Sequence, residues 1–239
     1  MFKSEPSRNK LTKRKVAFFD VDGTIFRSSL LIEIVEELIK RNVFSKESAA
    51  EFLKTKEDWI NRRGQYEDYI MAVVHSFEKH IKGVPYKTFM DIAEEMVEKN
   101  YKKTYIYTKD LVKKLKDKDY FIIAISQSPK GILDKFCKHF GFDKVYGRIY
   151  ELGPEDQLTG KTMDEHIISN KGNIVRRAVE KENLTLKGSV AVGDTEGDIP
   201  MLELVDKPIC FNPNQKLFRY AKINKWKVVV ERKDVVYEL

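Results

Sequence analysis

Two pairs of aspartates are the residues in this sequence whose type and spacing best suit chemistry. Asp20 and Asp22 directly follow the apolar run of residues 16–19, and Asp194 and Asp198 follow a second apolar run. Ligand sites of open α/β sheets lie beyond the carboxyl ends of the strands, so parallel strands would bring these acids to one edge. Carboxylates packed this closely repel one another unless a cation lies between them, and an all-oxygen site suits Mg²⁺.

The segment that contains Asp20 and Asp22 has two other interpretations. Asp-Gly between apolar residues is also typical of a β-hairpin turn, and this alternative stays open for the segment taken alone. A calcium-binding loop beginning at Asp20 is excluded, because Ile25 and Leu31 occupy the places that require a glycine and an acid.

Two further polar features lie where strands are predicted to meet helices. Ser126 ends the apolar strand predicted over residues 120–126 and precedes a helix predicted over 132–140. The free N–H groups of such a helix start favour phosphate, although Ser128 acting as a simple helix cap uses the same geometry. Lys171 opens another predicted helix, where its charge opposes the helix dipole, and this favours a specific anionic partner.

The surrounding pattern predicts the elements that position these residues. Apolar residues recur every four positions at Leu30, Ile34 and Leu38, and this pattern begins an all-helical insert over residues 28–100 with Ser28 or Ser29 as its N-cap. We expect the aromatic residues of the insert to form its own core. The α/β alternation resumes afterwards and includes a β-hairpin predicted over residues 145–162.

These elements together predict an α/β fold, a Rossmann-like parallel sheet flanked by helices, with an all-helical cap inserted after the first strand. The predicted core domain comprises residues 16–27 and 101–239, and the cap comprises residues 28–100. Residues 1–15 form a basic leader that we expect to be disordered.

Composition limits the classes of partner. The chain has 239 residues, and its 44 Lys and Arg against 37 Asp and Glu give a net charge of +7, which would help to steer an anionic substrate. Nearly balanced charges disfavour nucleic acid or anionic lipid as the main partner. No apolar run is long enough for a transmembrane helix and no secretory signal is evident, so a soluble, cytoplasmic protein is expected. The sequence contains no indication of the oligomeric state.

With these motifs in order along the chain, the sequence resembles hydrolases of the haloacid dehalogenase superfamily, in particular the phosphoserine-phosphatase-like branch. The first motif is Asp20-Val-Asp-Gly-Thr24, the second ends in Ser126, the third is Lys171, and the fourth runs from Asp194 to Asp198. The match extends over nearly the whole chain after the leader, and the helical insert resembles the cap of that family.

The resemblance implies a role for each motif residue. Asp20 would attack phosphorus and form an aspartyl-phosphate. Asp22 would protonate the leaving oxygen and then activate water. Ser126, the backbone N–H of Gln127, and Lys171 would hold the phosphoryl oxygens. The implied activity is hydrolysis of a phosphoric monoester.

The resemblance also implies a Mg²⁺ cofactor. Its ligands would be the carboxylates of Asp20 and Asp194 and the carbonyl oxygen of Asp22, with Asp198 acting partly through water. Gly197 departs from the pattern, because relatives usually carry Asn at this place; the loss of that polar contact could weaken the site.

Substrate specificity is the least determined property. Ser29 and Met71 stand where phosphoserine phosphatases carry the Glu and Arg that recognise serine, and Glu33, Arg62 or Arg63 are possible substitutes. We therefore expect a small phosphorylated metabolite of undefined identity. Two alternatives are a catalytically weak phosphate-binding regulatory module and a protein whose basic leader associates with nucleic acid or a lipid surface.

Overall fold

The computed structural model describes residues 13–163 and 170–239. The predicted leader lies outside the described residues except for residues 13–15. No helix within the described part of the chain is long and apolar enough to cross a membrane.

A mainly parallel sheet forms the centre of the molecule, and its eight described strands have the spatial order β4-β3-β2-β1-β5-β6-β7-β8. The strands are β1 (Lys15–Phe19), β2 (Phe121–Pro129), β3 (Lys144–Leu152), β4 (Leu158–Met163), β5 (Thr185–Gly193), β6 (Lys207–Phe211), β7 (Lys227–Arg232) and β8 (Val235–Glu238). Only the β3–β4 and β7–β8 pairs are antiparallel. Strand β1 lies between β2 and β5, which is the buried position that its continuous apolar run predicts.

Helices cover both faces of this sheet. They are α1 (Leu30–Lys40), α2 (Ala50–Ile60), α3 (Tyr66–His80), α4 (Tyr86–Asn100), α5 (Ile106–Lys116), α6 (Lys130–Lys138), α7 (Lys171–Lys181), α8 (Ile199–Leu202) and α9 (Gln215–Asn224). Because side chains alternate along β1, Phe18 packs with α7, α8 and α9, whereas Phe19 packs in the cluster that includes α1 to α6. The predicted fold class, a parallel sheet flanked by helices, is confirmed.

Helices α1 to α4, which we call the cap, join the sheet through two adjacent linkers. Arg27 N donates to Lys103 O at 2.9 Å, and Tyr105 N donates to Ile25 O at 3.0 Å. Glu231 on β7 fixes this crossing, because its carboxylate accepts from the first N–H groups of α5 and pairs with the Arg27 guanidinium. This buried acid was not anticipated from the sequence.

The hairpin β3–β4 also supports the cap. Gly83 N, at the end of α3, donates to Leu158 O on β4 at 2.8 Å. The antiparallel hairpin itself agrees with the pattern of residues 145–162. The hairpin therefore brings residues of the core into contact with the cap.

Two serines differ from their expected roles as helix caps. Strand β2 continues through Pro129 and α6 begins at Lys130, so Ser128 does not cap that helix. Ser29 occupies the N-cap position of α1, as predicted, but its side chain makes no capping hydrogen bond; instead, Leu30 N donates to Asp22 Oδ1 at 2.6 Å. A carboxylate from the end of β1 thus takes the place of the expected serine cap, and the helix dipole favours its negative charge.

Candidate active site

The chain turns sharply after β1 because Gly23 has a φ of +78° and no side chain. A Cβ atom at this position would lie 2.2 Å from Asp194 Oδ2. Since only glycine combines this conformation with so close an approach, Gly23 lets the loops after β1 and β5 meet. Asp20 and Asp194 are brought together by this contact between loops.

Asp198 holds the loop after β5 in shape. Its Oδ2 accepts hydrogen bonds from Asp194 N at 3.0 Å and from Thr195 N at 3.1 Å. Gly193 permits this, because a Cβ there would lie 2.4 Å from Asp198 Cγ. The second acid of this motif is fully buried and organises the backbone that carries the first.

Lys171 reaches into the same cluster from the first turn of α7, whose N-cap is the side chain of Asn170. Its Nζ donates to Asp20 Oδ1 and to Asp198 Oδ1, each at 2.5 Å. Burial opposes the charged form, but the two carboxylates outweigh it and raise the pKa of Lys171. The lysine therefore stays protonated, and the unfavourable helix dipole is compensated by two anions.

Three carboxylates, those of Asp20, Asp194 and Asp198, offer oxygen atoms within 4.8 Å of one another. Asp20 Oδ2 is buried and has no hydrogen-bond partner among the described residues. Burial raises the pKa of Asp20 to about 7, with Lys171 opposing and Asp198 and Asp22 adding to the shift. Burial and the same neighbouring acids also raise the pKa of Asp194. Buried acids that raise one another's pKa are stabilised by a positive charge among them, so this cluster of three carboxylates fits a hard divalent cation.

The carboxylate of Asp22 points to a different set of partners. Its Oδ2 accepts from Ser126 Oγ at 2.5 Å and from Ser128 Oγ at 2.9 Å, while Oδ1 caps α1. Ser128, expected to cap α6, instead serves this acid. The two aspartates of the first motif therefore differ in environment: Asp20 lies in the carboxylate cluster, and Asp22 lies in a hydroxyl cage.

A cavity of about 410 Å³ opens above these groups, between the cap and the sheet edge. Asp20, Asp22, Ser126, Gln127 and Lys171 all line it. The structure thus gathers the predicted nucleophile, acid–base residue and phosphate-binding residues around one space. A larger and more open groove, about 1060 Å³, lies near the amino ends of the strands and contains none of these side chains.

Comparison with known proteins agrees with this geometry. A family model for the haloacid dehalogenase-like hydrolases matches residues 17–203. The chain belongs to this family of hydrolases.

Relatives of this hydrolase confirm the resemblance to the phosphoserine-phosphatase-like branch. A phosphoserine phosphatase of Methanocaldococcus jannaschii is 26% identical over 205 residues, which cover 83% of this chain and 86% of the relative. One of Mycobacterium tuberculosis is 23% identical over 214 residues, with coverages of 89% and 69%. A crystal structure of a Bordetella pertussis protein of unknown function shares the fold, with a TM-score of 0.72, 18% identity and coverages of 91% and 98%.

The cap residues predicted to select the substrate of this hydrolase divide into two groups. Ser29 and Met71 line the cavity. The other three do not: Glu33 lies 3.4 Å from Lys103, Arg63 lies 3.4 Å from Asp58, and Arg62 forms the turn after α2 with a φ of +60°. None of these three charged side chains lines the cavity, so none stands where a serine-binding pair would be needed.

Tyr66 and Arg148 are among the cavity-lining residues of the hydrolase that were not identified from the sequence. Tyr66, assigned to the core of the cap, packs against Trp59 and Tyr69 but also faces the cavity. Burial and the neighbouring Asp22 raise the pKa of Tyr66, so its hydroxyl stays neutral beside these acids. Arg148 comes from β3, in a hairpin whose sequence carries no motif. Only the docking of the hairpin under the cap reveals it.

Proposed function

We propose that this hydrolase is a Mg²⁺-dependent phosphatase that hydrolyses a small phosphomonoester through an aspartyl-phosphate on Asp20. One observation carries the proposal: Asp20 presents an unpartnered, buried oxygen in the described structure while Lys171 binds its other oxygen. A nucleophile held by one oxygen and free at the other is prepared for attack at the floor of a cavity. Membership of the family and its phosphoserine phosphatase relatives support the same activity.

The carboxylates of Asp20, Asp194 and Asp198, with the carbonyl oxygen of Asp22, would hold the Mg²⁺ ion. Bound there, the cation supplies positive charge that lets an anionic nucleophile approach an anionic phosphate. Thr24 supports this set, because its hydroxyl donates to Asp194 Oδ1 at 3.3 Å. The acid cluster thus offers both the charge and the fixed oxygens that a hard cation requires.

The first step transfers the phosphoryl group to the protein. Asp20 Oδ2 forms a bond to phosphorus while the bond to the leaving oxygen breaks. Asp22 gives its proton to that oxygen, and the alcohol leaves. Ser126, Gln127 N and Lys171 bind the phosphoryl oxygens as negative charge spreads over them.

The second step releases phosphate. Asp22, now a carboxylate, takes a proton from a water molecule, whose oxygen attacks phosphorus and breaks the bond to Asp20. Ser128 keeps Asp22 oriented through both steps, because its hydroxyl donates to Oδ2 of that carboxylate. The Ser126 hydroxyl makes the same bond until it turns to bind a phosphoryl oxygen. The nucleophile is thereby restored in its starting form.

The substrate of this hydrolase is proposed as a small phosphorylated metabolite. Its named relatives act on phosphoserine, but Ser29 and Met71 offer neither charge of a serine-binding pair. The cap therefore supports a leaving alcohol that differs from serine.

The test is Mg²⁺-dependent phosphate release from p-nitrophenyl phosphate by the wild type and by Asp20→Asn. We expect hydrolysis by the wild type and none by the variant. Asp134→Asn is a matched control, because Asp134 pairs with Lys130 on the surface of α6 outside the cavity, and it should retain activity. Equal rates for the wild type and Asp20→Asn would contradict the proposal. Phosphate binding without turnover by the wild type would instead favour the regulatory alternative.

A further inference from the structure

Arg148 is a cavity-lining cation to which the reaction assigns no task. Its side chain is 12% exposed, its Nη1 donates to Glu78 Oε1 on α3 at 3.0 Å, and its Nη2 donates to Gln127 Oε1 at 2.8 Å. A guanidinium has five N–H donors, and these two bonds leave three: one on each terminal nitrogen and the Nε–H, which is buried and has no partner among the described residues. The guanidinium is thus fixed between the cap and the second motif while retaining donors for a ligand.

The other two cations that line the cavity are committed differently. Lys171 binds the carboxylates of Asp20 and Asp198. Lys216 is 60% exposed and pairs with Glu196 at 2.6 Å, so water screens its charge. Among the described residues that line the cavity, Arg148 is therefore the partly buried cation that is left to bind a second anionic group.

The cap supplies an apolar wall of the cavity that Arg148 and the aspartates also line. This wall consists of side chains from α1 and α3, namely Leu31, Tyr66, Ile70, Met71 and Val74. A cavity of about 410 Å³ with such a wall accepts a leaving group larger than a serine side chain. An apolar part of the leaving group would pack against this wall, and an anionic group on it would reach the guanidinium of Arg148.

We infer that Arg148 is a specificity-determining residue that binds a carboxylate on the leaving group, so that the substrates are phosphomonoesters of apolar alcohols that also carry a carboxylate. A carboxylate suits the site better than a second phosphate, because Glu78 already neutralises part of the charge of Arg148. Planar oxygens also match the spacing of two guanidinium donors. This inference rests on the proposed phosphatase activity.

The experiment compares two probes whose leaving groups differ only in a carboxylate that replaces a methyl group: 4-propylphenyl phosphate and 3-(4-phosphonooxyphenyl)propanoate. An aliphatic pair, propyl phosphate and 3-phosphonooxypropanoate, repeats the comparison without the ring. The measured quantity is the ratio of kcat/KM within each pair, for the wild type, Arg148→Gln, Arg148→Lys and Lys216→Gln. Thermal unfolding of each variant verifies that it is folded.

We expect the wild type to prefer the carboxylate probe and Arg148→Gln to lower the ratio by about 10- to 100-fold, the range for a hydrogen bond to a charged group. Arg148→Lys should retain part of the preference, because it keeps the charge but loses the second donor. Lys216→Gln removes one positive charge from an exposed position of the cavity lining and should leave the ratio unchanged.

Three results would overturn the inference. A wild-type ratio near one would show that no carboxylate is selected. If Arg148→Gln lowered kcat/KM equally for both probes, and Glu78→Gln did the same, the ion pair between Arg148 and Glu78 would only join the cap to the sheet. If the wild type releases phosphate from none of these probes and none from p-nitrophenyl phosphate, the proposed function fails as well, and this outcome is distinct from the first two.

Discussion

Replacement of Gly23 by alanine tests whether the meeting of the two acid-bearing loops creates the active site. The new Cβ would lie 2.2 Å from Asp194 Oδ2, whereas ordinary contact begins at 3.4 Å, so the carboxylate must retreat by about 1.2 Å. A misplacement of about 1 Å in a catalytic site can cost about 100-fold in rate. We therefore expect Gly23→Ala to lower kcat/KM by about this factor and to raise the Mg²⁺ concentration needed for activity.

The same substitution should cost little stability, because the displacement of Asp194 that lowers activity has little effect on the free energy of unfolding. The φ of +78° is unfavourable for alanine by about 1–2 kcal/mol. The steric conflict involves the end of the Asp194 side chain, which can rotate away, rather than a fixed backbone atom. Unfolding in urea should thus show a loss of about 1–2 kcal/mol in a protein that remains folded but is nearly inactive.

Gly197→Ala is the matched control in the same site. A Cβ there would meet only Thr195 Oγ1 at 3.5 Å, and the backbone lies outside the left-handed region. This change should leave activity intact and stabilise the fold by about 0.4–1 kcal/mol, because alanine restricts the unfolded chain. If Gly23→Ala kept the activity and the Mg²⁺ dependence of the wild type, the active site would not require the Asp194 carboxylate in its observed position. That result would refute the prediction.

Three further perturbations test other parts of the site. Lys171→Met should lower the free energy of unfolding in EDTA by about 3–5 kcal/mol, because it leaves the buried carboxylates of Asp20 and Asp198 without the cation that pairs with them. Urea unfolding measures this loss, and an unchanged midpoint would contradict the prediction. Since the folded state raises the pKa of Asp20 from 3.8 to about 7, metal-free protein binds a proton more tightly when folded, and its unfolding free energy should fall as the pH rises through that interval. The fall should be smaller in Asp20→Asn; an identical pH profile would exclude Asp20 as its source. Glu231→Gln should lower the free energy of unfolding in urea by about 1–3 kcal/mol, since a neutral amide weakens the hydrogen bonds to α5 and Arg27. Stability equal to that of the wild type would show that these contacts of Glu231 contribute little.

The catalytic part of this site could be predicted from the sequence because each residue follows from local chain geometry. Asp20 ends a buried strand, Lys171 begins a helix, and Asp194 ends a second strand. Parallel pairing places those ends at one edge whatever the side chains in between, so strand order alone brings the groups together. The hairpin interpretation of the first motif fails for the same reason: β1 pairs in parallel with β2 and β5.

The residues that face the substrate could not be predicted in this way. The orientation of Tyr66 depends on how α3 lies over the sheet, and helical periodicity only assigns it to the buried side of the cap. Arg148 depends on three elements at once, because β3 supplies it, while α3 and β2 supply its partners. No spacing within one segment records such a contact.

A single hydrogen-bond acceptor accounts for the two serines, at the start of α1 and at the end of β2, whose side chains do not cap a helix. Local rules assign Ser29 as the cap of α1 and Ser128 as the cap of α6, yet both helices begin without these serine side-chain bonds. Asp22 is the common cause, because its carboxylate accepts from Leu30 N and also from Ser128 Oγ. Asp22, the proposed acid–base residue, thus connects the first cap helix to the second motif. A movement of the cap at Leu30 would change the hydrogen bonding of the carboxylate that is proposed to exchange a proton with the substrate, so the position of the cap and the proposed acid–base chemistry are coupled at Asp22.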